Sequence, residues 1–183
     1  MSDDAIFKDA PTDTTQDDEH LKGAVIVGSV PGQDERVYIE AARYAQLLGA
    51  PLVVAHVDVN RFISYPDPEG YMQTTAVDLQ AEVGAADFAT VGAEAKAAVS
   101  GFGLNWTTRE LVGDPALALK HFADRVDARL IVIGTRKRGI GETMREFFSG
   151  SVAARLSHRQ HRPILVVPVG KPLPDDQDWP IEE

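Results

Sequence analysis

Small, hydroxyl and basic residues are concentrated between Gly134 and Ser151. Glycines let backbone amides approach an anion closely, and a helix that begins near Gly150 would add its dipole. The side chains that could contact the same anion are those of Thr135, Arg136, Lys137, Arg138, Ser149 and Ser151. The segment therefore predicts a phosphate-binding loop. The alternative is that its glycines serve only turn geometry and its bases only solubility.

The chain offers little for covalent or acid–base catalysis. It has no cysteine, and none of its serines lies in the Gly-x-Ser-x-Gly sequence of a nucleophile elbow. We interpret Asp34 and Glu35 as acids that complement a helix dipole rather than as an acid–base pair. No catalytic residue is assigned, and acyl transfer is disfavoured.

The histidines have structural interpretations beside functional ones. His56 ends a predicted strand near the glycine-rich loop, and we favour a buried, hydrogen-bonded ring over a ligand contact. His158 and His161 lie three apart at the end of the last predicted helix. Because cations at a helix C-terminus favour the dipole and no third ligand is near in sequence, we expect no metal site there.

These residues must be positioned by alternating strands and helices. Apolar runs predict five strands, at residues 24–27, 52–57, 106–112, 130–133 and 164–167. A helix is predicted between successive strands, and residues 58–78 are predicted to form a long loop. The first helix should pack on the sheet through Val37, Ala41, Tyr44, Ala45 and Leu48. The alternation predicts an α/β three-layer sandwich, in which a five-stranded parallel sheet carries four helices on its two faces.

Charge divides the 183 residues into three parts. Residues 1–20 and 171–183 are acidic tails that together carry the whole net charge of −10, and we expect them to be disordered. The body, residues 21–170, is neutral, although residues 134–162 carry +5. This balance disfavours a nucleic-acid partner. Because no apolar run approaches the length of a membrane span or a signal core, we expect a cytoplasmic protein with no membrane partner.

Several separated motifs resemble the universal stress protein family. They are the strand and Gly-Thr-Arg at residues 131–136, Gly150-Ser151-Val152 at a helix start, the run at 162–168, and the first βαβ unit around Leu48-Gly49-Ala50. The resemblance covers the body of the chain. It implies a sheet ordered 3-2-1-4-5, a role in stress response, and an adenine nucleotide (ATP, ADP or AMP) bound where the strand order reverses. Magnesium is not assigned, and weak ATP hydrolysis is the most turnover expected.

The resemblance also implies which residues bind the nucleotide. Phosphate and ribose contacts would fall around strand 4 and the next helix, and base contacts at the ends of strands 1 and 2. The implied residues are Val27, Gly28, Val57, Gly134, Thr135, Gly150, Ser151 and Val152. To these we add Ser29 at the end of strand 1 and Arg136, Gly139 and Gly141 of the glycine-rich loop.

Two features depart from the ATP-binding members. Lys137 stands where those members have a glycine, in a loop that is longer than theirs, and Gly28 and Ser29 stand where they place an aspartate. One alternative is therefore a dimeric interaction module of the same fold that has lost nucleotide binding. Another is a hydrolase or nucleotidyl-transfer enzyme of the same superfamily.

The last strand predicts a homodimer. Residues 164–167, Ile-Leu-Val-Val, would form an exposed apolar edge of the sheet. Such an edge needs a partner, and the family resemblance implies a dimer formed there. We expect Ile164, Leu165, Val166 and Val167 to make the contact.

Overall fold

The structure, a computed structural model, describes residues 18–59, 74–135 and 151–170, with the backbone alone for residues 74–81. The helices of the described part are α1 Glu35–Leu48, α2 Thr74–Val99, α3 Pro115–Arg125 and α4 Val152–Ser157. Its strands are β1 Val25–Ser29, β2 Leu52–Asp58, β3 Trp106–Val112, β4 Leu130–Gly134 and β5 Ile164–Val167. Short 3₁₀ turns occupy Asp18–Leu21 and Ser100–Phe102.

The strands form one parallel sheet in the order β3-β2-β1-β4-β5, which confirms the predicted fold class and strand order. Val25 of β1 is opposite Leu52 of β2 on one side and opposite Leu130 of β4 on the other. The chain therefore moves outward from β1 in one direction through β2 and β3, and then returns to build β4 and β5 on the other side. The strand order reverses between β1 and β4.

Two apolar cores lie on the two faces of the sheet. Val27, Val54 and Val132 point toward α1 and α2. Ile26 and Ile131, one residue earlier in their strands, point toward α3 and α4. Because neighbouring side chains of a strand alternate between faces, strands that are apolar throughout fill both cores at once.

The face that α1 buries differs from the predicted one. Tyr44 and Leu48 are each 37% exposed, so their assignment to the core was wrong. The buried face is made of Val37, Tyr38, Ala41, Ala42 and Ala45. Three alanines bring this helix close to the sheet, and the apolar stripe is consequently centred away from the larger side chains at 44 and 48.

Two predicted boundaries were also wrong. β1 continues through Gly28 and Ser29, which were predicted to begin a loop, because β1 is central and the register pairs Gly28 with both Ala55 and Ile133. α2 begins at Thr74, within the segment predicted as a loop to residue 78. The segment after Thr74 is rich in good helix formers and contains no proline, so the helix extends toward β2.

Caps with well-defined hydrogen bonds delimit two of the helices. The Asp34 carboxylate accepts a hydrogen bond from Arg36 N at the start of α1, and Gly49 ends that helix at φ 58°. Asp114 accepts from Leu117 N and precedes Pro115 at the start of α3. These caps follow the residue preferences of helix ends. Among the described residues, no helix is long and apolar enough to cross a membrane.

Candidate functional site

The carboxyl ends of β1 and β4 lie side by side at the strand-order reversal. Gly28 of β1 is paired with Ile133 of β4. The polypeptide leaves the sheet directly after this pair, after Ser29 at the end of β1 and after Gly134 at the end of β4. Ligands of open parallel sheets bind in the crevice that such diverging connections leave.

A glycine lies in each strand beside this crevice, on opposite faces of the sheet. A β-carbon on Gly134 would lie 2.5 Å from Gln33 Nε2 and 2.8 Å from Val37 Cγ2, both on the α1 side. A β-carbon on Gly28 would lie 2.9 Å from Ile133 Cδ1, on the α3 side. A side chain at either position would displace its neighbours, so glycine favours close packing at the reversal.

Thr135 links β4 to the chain that follows β5. Its N–H donates to Val167 O at 2.9 Å, and its hydroxyl oxygen accepts from Val169 N at 2.8 Å. Within the described residues, no acceptor is seen for the hydroxyl proton, which can act as a donor. Thr135 thus fixes the end of β5 beside the reversal, a role that the sequence did not indicate.

Ser151 begins α4, as predicted for the helix after the glycine-rich loop. Its hydroxyl accepts from Ala154 N at 3.1 Å, and Val152 packs against the core on the α3 side. Other predicted residues lie outside the described part of the chain: Arg136, Lys137, Arg138, Gly139, Gly141, Ser149 and Gly150.

A polar cluster holds the turn between β1 and α1. Gly32 N donates to Glu94 Oε1 of α2 at 2.9 Å, and Tyr38 Oη donates to Glu94 Oε2 at 3.5 Å. Burial raises the pKa of Tyr38 to about 12, the hydrogen bond with Ser29 opposes this, and the Glu94 carboxylate reinforces it. The sequence did not reveal this cluster. Its only signal was Glu94 itself, an acid between two alanines of α2.

The end of β2 carries two buried polar side chains, His56 and Asp58. His56 Nδ1 lies 3.2 Å from Ser29 O. Because a carbonyl only accepts, this nitrogen carries the proton, and the interpretation of His56 as a buried, hydrogen-bonded histidine is confirmed. Val57, between them, packs toward the α3 side. The Asp58 carboxylate lies against Gly84 of α2, where a β-carbon would be 3.1 Å from Asp58 Cγ.

Part of the positive charge counted in residues 134–162 is paired. The Arg155 guanidinium binds both oxygens of Asp114, at 2.7 and 2.8 Å, and lowers the pKa of that carboxyl. Arg162 binds Asp124 at 2.5 Å. These two arginines therefore link α4 and β5 to α3, and they add less to an anion site than the sequence count suggests.

No metal-binding arrangement is present in the parts of the chain that the structure describes: none of their His, Asp and Glu residues form a group of three or more that could hold an ion. At the reversal, the described groups are backbone amides, hydroxyls and one side-chain amide. Such groups bind through hydrogen bonds to acceptors, and phosphate oxygens are acceptors only.

Known structures share this fold. A universal stress protein from Archaeoglobus fulgidus is 26% identical, with 80% of this chain and 93% of that chain covered and a TM-score of 0.54. A universal stress protein from Archaeoglobus fulgidus in complex with dAMP is 25% identical, covering 80% and 98% of the two chains at a TM-score of 0.51. A universal stress protein in complex with cAMP is 26% identical, covering 80% and 97% at a TM-score of 0.57.

The sequence gives the same assignment. No curated protein sequence matches the chain. The sequence model described as the universal stress protein family, in contrast, matches residues 24–168, from the start of β1 to the end of β5. The matched segment therefore contains every strand of the sheet and both sides of the reversal. The chain belongs to the universal stress protein family.

Proposed function

We propose that this chain binds an adenine nucleotide (ATP, ADP or AMP) at the carboxyl ends of β1 and β4 and acts in stress response. The observation that carries the proposal is the reversal itself, where β1 and β4 lie side by side and the connections that follow them diverge. The similar universal stress proteins in complex with dAMP and cAMP support the adenine nucleotide as the ligand class.

The base would contact the ends of β1 and β2. Val27 is wholly buried and Gly28 lies within the sheet, so these two residues would form the floor of the site. Ser29 and Val57 are nearer the strand ends and would border the base. No carboxylate extends from the end of β1, and the Ser29 hydroxyl is the polar group that β1 itself supplies there.

The phosphates would contact the start of the connection after β4 and the start of α4. Main-chain amides and hydroxyls would supply most of these hydrogen bonds, since a phosphate is recognised well by N–H and O–H donors. The proposed contacts are Gly134, Thr135, Arg136, Gly139, Gly141, Gly150, Ser151 and Val152.

Calorimetry with ATP, ADP, AMP and cyclic AMP tests this function. The expected result is heat of binding from at least one nucleotide at micromolar to millimolar concentration. Gly150→Leu should abolish that heat. Gly101→Leu should preserve it, because no atom lies within 4 Å of the β-carbon position at Gly101.

No heat from any nucleotide at millimolar concentration, with the protein shown to be folded, would refute nucleotide binding. It would favour the interaction module that has the same fold without the ligand. An assay for ATP turnover with magnesium separates binding from hydrolysis, for which weak activity is the most we expect.

We further propose that a second copy of this chain binds along β5. This strand is at one end of the sheet, and its Ile164 and Leu165 side chains are half-buried while Val166 is 44% exposed. Its outer backbone edge has no neighbouring strand in the described sheet. An apolar edge strand in this position is readily paired with an identical strand across a two-fold axis.

A further inference from the structure

The turn between β1 and α1 is fixed at several points although it lies at the surface. Gln33 N donates to Val30 O at 3.2 Å, which closes the turn. Gly32 adopts φ 71°, a conformation that favours glycine, and its N–H is held by Glu94 from α2. The turn therefore has a defined position relative to both β1 and α2.

This turn places the Gln33 side chain over Gly134. The amide nitrogen of Gln33 would be 2.5 Å from a β-carbon at Gly134, so the amide lies directly above the last residue of β4. Gln33 is half-buried, and no hydrogen bond joins its side chain to any of the described residues. A side-chain amide with two donors and an acceptor is thus held by packing at the reversal, with its hydrogen-bonding groups free of the described protein.

The chemistry of the amide suits one part of a nucleotide best. The group next to Gly134 is the NH₂ end, which donates, and Gly134 and Thr135 are among the residues proposed above to contact phosphates. Phosphate oxygens accept and do not donate. The nearby Glu94 carboxylate would partly neutralise a cationic side chain at this position. The amide of Gln33 is neutral, so it can donate to an anion without that competition.

We infer that Gln33 is a specificity-determining contact of the nucleotide site, donating from Nε2 to a phosphate oxygen. This inference rests on the proposed nucleotide binding. It adds a residue from the β1–α1 turn to a site otherwise assigned to strand ends and the connection after β4. Glu94 acts as a positioning residue, because it holds the turn that carries Gln33.

Two variants of Gln33 test the contact by calorimetry with ATP, AMP and adenosine. Gln33→Glu has nearly the same shape but replaces the donor with a negative charge. Gln33→Met keeps the length and removes the amide. A hydrogen bond to a charged group is worth enough that Gln33→Met should weaken ATP binding about tenfold or more. Gln33→Glu should weaken it further, with a larger effect for ATP than for AMP and less than about twofold for adenosine.

The controls separate binding from folding and from net charge. Gln33 lies just before α1, where an added acid favours the helix dipole, so Gln33→Glu should unfold at the same or a higher denaturant concentration than the wild type. Leu47→Glu adds the same charge at a residue that is 79% exposed near the far end of α1. Its ATP affinity should stay within about twofold of wild type.

Three outcomes would overturn the inference. If the wild type binds ATP and both Gln33 variants bind it equally well, the contact is wrong while the proposed function stands. If Gln33→Glu weakens adenosine and ATP by the same factor, the contact is not to phosphate. If the wild type binds no nucleotide at millimolar concentration, the proposed function and this inference fail together.

Discussion

Tyr38 shows how one residue can place a polar group inside an apolar layer. Its ring is buried between α1, α2 and the sheet, and its hydroxyl reaches Glu94 and Ser29 at the edge of the core. A buried tyrosine usually finds such a partner, because an unsatisfied hydroxyl would cost free energy. Burial also makes the ionised form of Tyr38 unfavourable, so the free energy of unfolding should depend on pH in the range where tyrosine ionises.

The expected pH dependence is a loss of stability at alkaline pH. The pKa of Tyr38 is about 12 in the folded chain against 10.0 ordinarily, so the unfolded chain releases this proton first. The free energy of unfolding should therefore fall as pH rises from 10 toward 12, by up to about 2 to 3 kcal/mol from this group. Tyr38→Phe should remove that part of the pH dependence. Urea titrations at several pH values measure it.

The control is Tyr44→Phe, which removes a partly exposed hydroxyl from the same helix. It should leave the alkaline loss of stability as in the wild type. Equal pH dependence in Tyr38→Phe and the wild type would contradict the burial of the Tyr38 hydroxyl.

Asp114 has two roles that substitution can separate. It caps α3 through Leu117 N, and it binds Arg155 of α4. Asp114→Asn keeps an acceptor for the cap and removes the ion pair, which is about one-third exposed and screened by water. It should lower the free energy of unfolding at pH 7 by about 0.5 to 1 kcal/mol. Asp114→Ala should cost about 1 kcal/mol more, because the cap is lost too.

The free energy of unfolding of these variants in acid shows whether the charge of Asp114 contributes to stability. Arg155 lowers the pKa of Asp114 below 3.8, so its stabilisation is present above that pH and is lost as pH falls through the lowered value. The difference between wild type and Asp114→Asn should therefore shrink in strong acid. A difference that stays constant down to pH 2 would show that the charge of Asp114 is not involved.

At the scale of elements, α2 contains two glycines in contrasting environments. Gly84 faces the buried Asp58 carboxylate, whereas a β-carbon at Gly92 would meet only Thr108 Cγ2, at an ordinary 3.8 Å. Gly92→Ala should stabilise the protein by up to about 1 kcal/mol, because alanine favours the helix. Gly84→Ala should destabilise it by about 1 to 3 kcal/mol, because the new methyl group overlaps Asp58. Thermal and urea unfolding of the pair measure both.

The two variants share a helix and a substitution, so helix propensity cancels between them. If Gly84→Ala were as stabilising as Gly92→Ala, the close approach of α2 to the end of β2 would be wrong. The comparison thus measures the packing of this end of α2, next to the buried His56 and Asp58.

The strands could be predicted from sequence because they depend on local pattern. Apolar runs identified them, since this signal lies within a few residues. The strand order came from the family resemblance. The polar cluster at the site could not be predicted, because it joins residues such as Gly32 and Glu94, 62 positions apart. The pairing of Arg155 with Asp114 was missed for the same reason.

At the scale of the whole molecule, the proposed ligand site and the proposed dimer edge lie on different strands of the sheet. The proposed nucleotide site lies at the reversal between β1 and β4, in the interior of the strand order, whereas β3 and β5 are at its two ends. β3 pairs with β2 and is also linked to α3 through Asp18, whose carboxylate binds Arg109 of β3 and Arg125 of α3. β5 presents an apolar strand and is the edge suited to a second copy.

A charge on β5 should therefore prevent the proposed homodimer. Val166 is 44% exposed, and a lysine there would place a cation in an apolar strand–strand contact, as natural edge strands do to avoid pairing. Sedimentation or light scattering should show a dimer for the wild type and a monomer for Val166→Lys at the same concentration.

The control is Leu47→Lys, which has a more exposed side chain on α1 and should remain dimeric. A monomeric wild type would contradict the proposed homodimer. A dimer that survives Val166→Lys unchanged would show that the two copies meet at another surface. Because β5 neighbours β4, nucleotide titration of the monomeric variant would also show whether the site needs the second copy.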